Sequence, residues 1–254
     1  NSVGLTAILR SGLYACNRVG KRKGLTNELL IDDGLIKLYY TGVQLQQSDY
    51  DCQLLLMCVL SEAKGTDRTQ NISDERDNLI YTQVHFDRKS FLKRLRGNTS
   101  KGTFNWVLDC FDRLSGRLKI EIKEDSKYKT QVSGGMLGRS GYNSSTDQFF
   151  VEISHDYVRL HKNLQLTYVN LKERMQMTKP FGKWLHGFIS THSKGKEIVY
   201  SAEKLIVKSR AEAKVIRKWI ADIARPTFIE LEKIGKIKLI SNAKGNHLFK
   251  WINL

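Results

Sequence analysis

Apolar residues fall at two periods along this chain, and the changes from one period to the other mark out its elements. Leu35 to Tyr40 alternates as a strand does. Ser48 then predicts the cap of a helix running through Lys64, with Leu54, Leu55, Cys58 and Val59 on its apolar side. Residues 65–79 (GTDRTQNISDERDNL) are polar and aperiodic, which predicts a loop. Tyr81 to Phe86 alternates again, and Asp87 predicts the cap of a helix reaching about Arg96. After Gly97, a second helix is predicted from Ser100 to Ser115, because Phe104, Val107, Leu108, Phe111 and Leu114 recur at helical spacing. Strands follow at Leu118 to Ile122, Lys129 to Leu137 and Phe149 to Ile153.

The order repeats. A helical segment is predicted from Asn170 to Thr191, with Trp184, Leu185, Phe188 and Ile189 on one side. Ile198 to Tyr200 is a short strand, and Ser201 opens a helix through Val207. A two-residue turn at Lys208 and Ser209 leads into a long helix from Arg210. Pro226 must kink that helix or start a new one, and Gly235 ends it. Lys236 to Ile240 and Leu248 to Ile252 then make a hairpin around SNAKGNH. Helix, strand, helix, helix and hairpin is the order of a winged helix-turn-helix. The expected fold is therefore α+β, as two tandem winged helix-turn-helix domains over residues 1–154 and 155–254, without a residue-level repeat.

Charge changes the picture most. The 254 residues carry 42 Lys and Arg against 26 Asp and Glu, a net charge of +16 that attracts polyanions. Residues 155–254 hold 20 of the cations against 8 acids, a balance of +12, and residues 1–154 a balance of only +4. The four cysteines (Cys16, Cys52, Cys58, Cys110) show no CxxC pair and read as buried thiols of a reducing, bacterial cytoplasm. No apolar run approaches the ~18 residues of a membrane span, and none reads as a signal peptide, so no membrane association is expected. The chain starts at Asn1 without Met, which leaves room for residues before it.

The helix predicted from Arg210 is the most informative stretch. At about 100° per residue, Val215, Ile216, Trp219, Ile220 and Ile223 share one face, which predicts packing on the core. Arg210, Lys214, Arg217, Lys218 and Arg225 share the opposite face around the small Ala221, while Glu212 and Asp222 lie outside that stripe. Such a face suits the major groove, where Arg pairs with guanine and flanking cations neutralise phosphates. Arg217 is placed for bases and Arg225, beside Pro226, for a phosphate. Lys208 and Ser209 in the turn, and Lys244 and Asn246 at the wing tip, join the expected DNA-binding set. The first half is a weaker reader, because its second helix presents Asn105, Asp109 and Asp112. Its candidate contacts are Ser100 and Lys101 at the helix start, with Lys93, Arg94 and Arg96 as phosphate contacts. Docking of another protein is an equal reading of this half.

Other chemistries find no support. SGGMLGRSG (Ser133 to Gly141) lacks the GK[ST] ending of a phosphate loop and predicts a flexible hairpin. The six histidines form no HExxH pattern and no zinc-finger spacing. QLLLM (Gln53 to Met57) is faintly like a sliding-clamp-binding pentapeptide, but it sits in an amphipathic helix and reads as core. No metal, cofactor or catalytic activity is expected.

Several segments carry a resemblance in the same order. They are LRSGLYACNRVGKRKG (Leu9 to Gly24), TGVQLQQSDYD (Thr41 to Asp51), SFLKRLRG followed by WVLDCFDRLSGRLKIEI, and KVIRKWIADIARPTFIELEKIGKIKLI (Lys214 to Ile240). In this pattern the chain resembles the iteron-binding replication initiators of broad-host-range plasmids, the TrfA and RepC type. It departs from them in the Gly- and Ser-rich segment from Ser133 to Thr146. The resemblance implies a plasmid initiator whose monomers bind direct repeats in double-stranded DNA at an origin. The C-terminal module would read bases, and bound copies would help open the origin and recruit the host initiator and replicative helicase. It also implies a monomer–dimer equilibrium, with dimers joined through the first module. A winged-helix transcriptional repressor is the nearest alternative, and would favour palindromic sites. A nicking or priming enzyme and a membrane-surface protein fit the residues less well.

Overall fold

The computed structural model describes residues 2–16, 22–32, 34–74, 79–124, 127–158, 166–242 and 247–254. The first elements are β1 (Ser2–Leu5), α1 (Thr6–Arg10), β2 (Tyr14–Ala15), β3 (Gly24–Asp32), β4 (Ile36–Val43), β5 (Leu45–Gln46) and α2 (Gln47–Ala63). There follow β6 (Thr69–Asp74), β7 (Leu79–Asp87), α3 (Arg88–Arg96), α4 (Lys101–Leu114), β8 (Arg117–Glu124), β9 (Lys127–Gly135), β10 (Leu137–Asn143) and β11 (Gln148–Ser154). The remainder runs β12 (Leu166–Val169), α5 (Leu171–Gln176), α6 (Pro180–Ser190), β13 (Glu197–Ser201) and α7 (Ala202–Ser209). Then come α8 (Ile216–Trp219), a π-helical turn (Ile220–Ala224), α9 (Arg225–Lys233), β14 (Ile237–Asn242) and β15 (Leu248–Asn253).

Asp87 and Ser201 do the same work at equivalent points of the two halves. Each ends a strand and caps the helix that follows: Asp87 Oδ1 accepts the Ser90 N–H at 2.7 Å, and Ser201 Oγ accepts that of Lys204 at 3.3 Å. Around them the same order recurs. In the first half it is α2, β7, α3, α4, β10, β11, and in the second α6, β13, α7, α8 to α9, β14, β15. In each, the last strand lies between the other two, giving β7-β11-β10 and β13-β15-β14. The first half adds β6 to one edge and inserts the β8–β9 hairpin, which joins β3 and β4 in a separate sheet, β3-β4-β8-β9.

Two apolar clusters fill these halves. The first runs from Ile8 to Val169 and includes Phe91, Phe111 and Phe149; the second runs from Met177 to Trp251 and includes Trp184, Phe228 and Phe249. Val107, Phe111 and Leu114 are buried on α4 as the helical spacing predicts. Trp184, Leu185, Phe188 and Ile189 are likewise buried on α6.

Four expectations are corrected. Residues 65–79 contain an edge strand, β6, whose backbone pairs with β7 although Ile72 is its lone apolar residue with a described side chain. The segment from Ser133 to Gly141 is no flexible hairpin. Buried Met136 hands the chain from β9 in one sheet to β10 in the other. Gly138 and Gly141 make room there, since a Cβ on either would come within 2.8 Å of the rings of Tyr81 and Phe150. The helix expected from Asn170 to Thr191 is broken before Pro180, which holds Lys179 extended (φ −99°, ψ 141°). The cap of α2 falls at Gln46, one turn fixed by Asp49, rather than at Ser48.

The halves meet at a buried ion cluster. Arg174 of α5 has no exposed surface. Its Nε donates to Asp51 Oδ1 and its Nη2 to Gln47 Oε1, both at 2.8 Å, while Nη1 donates to the Lys183 carbonyl. Lys183 Nζ takes the other oxygen of Asp51. His186 lies beside this cluster with Nε2 3.1 Å from Glu173 Oε2. Burial, outweighing Glu173, holds the His186 imidazole down at about 4.

Two measurements test this core. Asp51→Ala strands the buried Arg174 and the half-buried Lys183 and is expected to cost roughly 3–5 kcal/mol in urea unfolding, whereas Asp32→Ala on the surface costs under about 1 kcal/mol. Because unfolded His186 titrates near 6.5 and folded His186 near 4, the unfolded chain binds the proton first. Stability conferred by this group is therefore complete above about pH 6.5 and lost as pH falls toward 4. His186→Gln should flatten the fall of melting temperature across that window; an unchanged slope would assign it to other groups.

Candidate nucleic-acid interface

The helix expected from Arg210 begins six residues later, and the reason is local. Arg210 adopts the left-handed conformation (φ 49°, ψ 37°) and stops α7. Its N–H bonds back to Val207 at 3.2 Å, and that of Ala211 to Ile206 at 3.1 Å, the paired bonds of a Schellman ending. Glycine normally marks that position, so an arginine there gives no stop signal. Lys208 thus belongs to α7 rather than to a turn; it lines a different cleft from Lys214 and leaves the expected DNA-binding set. Ser209 is buried, its Oγ donating to the Ile206 carbonyl, and it leaves the expected DNA-binding set. Arg210 reaches Glu28 of β3 at 3.0 Å and leaves the helix face as well.

From Ile216 onward the pattern holds. Trp219 and Ile220 are buried and Ile216 and Ile223 partly so, whereas Val215, expected on this face, is exposed in the preceding loop. Arg217, Lys218 and Ala221 are exposed on the outer side. The π turn adds one residue to the helical phase and brings Asp222 onto that side, contrary to expectation. It also turns Arg225 partly inward. Pro226 falls in the first turn of α9 and offers no N–H, and the Asp222 carbonyl, four residues back, takes the ammonium of Lys179 instead.

A groove joins this region to the first half. One part, of about 410 Å³, is lined by Arg22, Arg96, Trp106, Arg113 and Lys183. It shares Thr178 and Pro180 with a second part, of about 350 Å³, that ends at Lys179, Lys214 and Trp219. Asp49, wholly buried at the start of α2, holds Arg22 at 2.5 Å and Arg113 at 2.9 Å. The Arg96 guanidinium stacks 4.2 Å from the Trp106 ring. Among the described residues the groove is lined by six cations, Arg22, Arg96, Arg113, Lys179, Lys183 and Lys214, against the carboxylate of Glu212, with Asp49 and Asp51 buried behind them, so it keeps a positive surplus.

The other expected residues divide. Lys93 is exposed on α3. Arg94 is committed to Glu62 through two bonds of 2.9 and 2.8 Å, which lower the Glu62 carboxyl. Ser100 spends its hydroxyl as the cap of α4, accepting the Thr103 N–H at 3.2 Å, and Lys101 is exposed at the helix start. Lys244 and Asn246 lie outside the described residues. Asn105, Asp109 and Asp112 are exposed, as expected of a poor reading face. Arg22, Arg113, Lys179, Lys183 and Trp106 were not anticipated as site residues. A basic cluster around Arg22 and the Lys–Pro step at 179–180 were visible, but only tertiary packing brings them together.

No group of three metal-ligating side chains occurs among the described residues, and no helix there is long and apolar enough to cross a membrane. None of the four cysteines forms a disulfide. No known protein family and no curated protein matches the sequence. Among solved structures, the chain is similar to domains 2 and 3 of RctB, determined as a selenomethionine derivative. The TM-score is 0.55 at 12% identity, over 94% of each chain. The two share a mixed α/β fold across both halves.

The charges already matched within the structure should contribute little to polyanion binding. Replacing Lys214, Arg217 and Lys218 by Gln is expected to lower the salt needed to elute the protein from heparin. Replacing Arg94 and Arg210 by Gln should shift it far less, and equal shifts would contradict the assignment of the open face.

Proposed function

We propose that this protein is a replication initiator that binds double-stranded DNA through two winged-helix modules, residues 1–154 and 155–254. The observation that carries the reading is the exposed Arg217–Lys218–Ala221 face on a helix whose Trp219 and Ile220 are locked into the core. A rigid helix with a cationic outer face and a small central residue fits the major groove. The element order around it, with β15 between β13 and β14, supports the winged-helix reading. RctB is a replication initiator, and the shared fold favours replication over other DNA-binding roles. Fold alone does not fix function, so the helix face bears the weight.

In this reading the C-terminal module reads bases, and α4, Lys101 and the groove grip the backbone of flanking DNA. Iterons at a plasmid origin, recruitment of the host initiator and helicase, a monomer–dimer equilibrium, a cytoplasmic setting and the absence of catalysis complete the proposal. A transcriptional repressor of the same architecture would instead select an inverted repeat.

Selection from a random duplex pool tests the proposal: direct repeats support an initiator, and palindromes support the repressor. On the selected site, Arg217→Ala should lose about 1–3 kcal/mol and much less on random DNA. Lys218→Ala should weaken both and lower the salt slope by about one unit. Arg225, being partly buried, is the poorer probe. Equal losses on both duplexes for Arg217→Ala would reduce this helix to a backbone grip.

A further inference from the structure

A second cleft, of about 530 Å³, lies between the halves and shares no lining residue with the basic groove. Leu30 and Ile31 of β3 form an apolar wall, with Tyr200 of β13 and Val207 of α7 also lining it. Val207 is 74% exposed, a large apolar surface left open to this space. The polar part of the lining is mainly cationic, with Arg210 in it already paired to Glu28. Arg10, Lys196 and Lys208 surround His192, and after burial their charges are what depress its imidazole. Thr191 fixes the Arg10 guanidinium, accepting from Nε at Oγ1 and from Nη2 at its carbonyl, both at 3.0 Å. Lys196 and Lys208 are exposed and have no carboxylate partner among the described residues. Asp32, the lining carboxylate on β3, is offset by Lys37 at 3.7 Å.

We infer that this cleft binds a nucleoside di- or triphosphate. The phosphates lie among Arg10, Lys196 and Lys208, and the base lies against Tyr200 and Val207. Two exposed lysines beside a held guanidinium suit a polyphosphate. Phosphate alone would not need the apolar walls, which suit the flat face of a base. The volume falls in the range of sites for small ligands, roughly 300–1,000 Å³. A duplex is too wide to enter, which separates this cleft from the helix face of residues 216–233. Because Arg10 and β3 belong to the first half and α7 to the second, the ligand bridges the two. Its binding stabilises their observed arrangement by mass action. The inference concerns binding alone and does not depend on the protein's recognising DNA.

Isothermal titration of the full chain with ADP, ATP, pyrophosphate and adenosine tests it, alongside thermal melting. ADP and ATP should bind saturably and raise the melting temperature, with pyrophosphate weaker and adenosine weakest. Lys196→Gln combined with Lys208→Gln should weaken ADP at least about tenfold and change duplex-DNA affinity by no more than about twofold. Both lysines are exposed, so circular dichroism should show an unchanged fold. Absence of saturable ADP and ATP binding at millimolar concentration overturns the inference, as does pyrophosphate binding as tightly as ADP. If the double variant loses DNA as strongly as ADP, the cleft is a track for a nucleic-acid strand instead.

Discussion

Everything the two halves do together depends on how α2 begins. Its first turn places two carboxylates, Asp49 and Asp51, where neither reaches water. Asp49 takes Arg22 and Arg113, and Asp51 takes Arg174 and Lys183. Burying such charges costs several kcal/mol each and is tolerated only with near-complete hydrogen bonding, which these groups have. The reward is direction. Arg174 offers donors in a fixed fork, and it meets Asp51, Gln47 and the Lys183 carbonyl only when α5 and α6 sit at one angle to α2. An apolar contact of the same area would hold the halves together without fixing that angle.

The same cluster supplies the groove with its charge. Two acids facing four cations leave a net positive charge, and Arg22, Arg113 and Lys183 all line the groove. The element that joins the halves therefore also gives the groove part of its charge. The repeated topology is put to unequal use around it. Helix α4 turns Trp106 and Arg113 to the groove and leaves Asn105, Asp109 and Asp112 outside, whereas the helix after Ile216 puts its cations outside.

How much of this was legible follows from which interactions are local. Asp87 as a cap, the buried face of α4 and the order of the last hundred residues were all readable, because each rests on contacts within a few positions. The misread places share a different cause. β6 has no apolar alternation, and its edge position asks only for backbone bonds to β7. Met136 and the glycines after it look like a loose turn until Tyr81 and Phe150 are seen occupying the space where side chains would be. The groove was illegible in principle, since it combines α4, the segment before α6 and the loop before α8.

Arg210 is the most instructive misreading, because its sequence signal and its structural role point in opposite directions. As a cation at helical spacing it extends the stripe; as a left-handed residue it ends α7 and reverses the chain. What offsets the strain lies across the interface. Glu28 accepts its guanidinium, and Gly12 lies so close that a Cβ there would come within 2.5 Å of Arg210 Cγ. The reversal sends the end of α7, with Lys208, to one cleft and the following loop, with Lys214, to the other. Only five residues, 211–215, separate this pinned arginine from the helix that carries Arg217 and Lys218. A shift of β3 against α7 therefore has a short covalent path to the start of that helix, and the contact of Arg210 with Glu28 and Gly12 sets where the path begins.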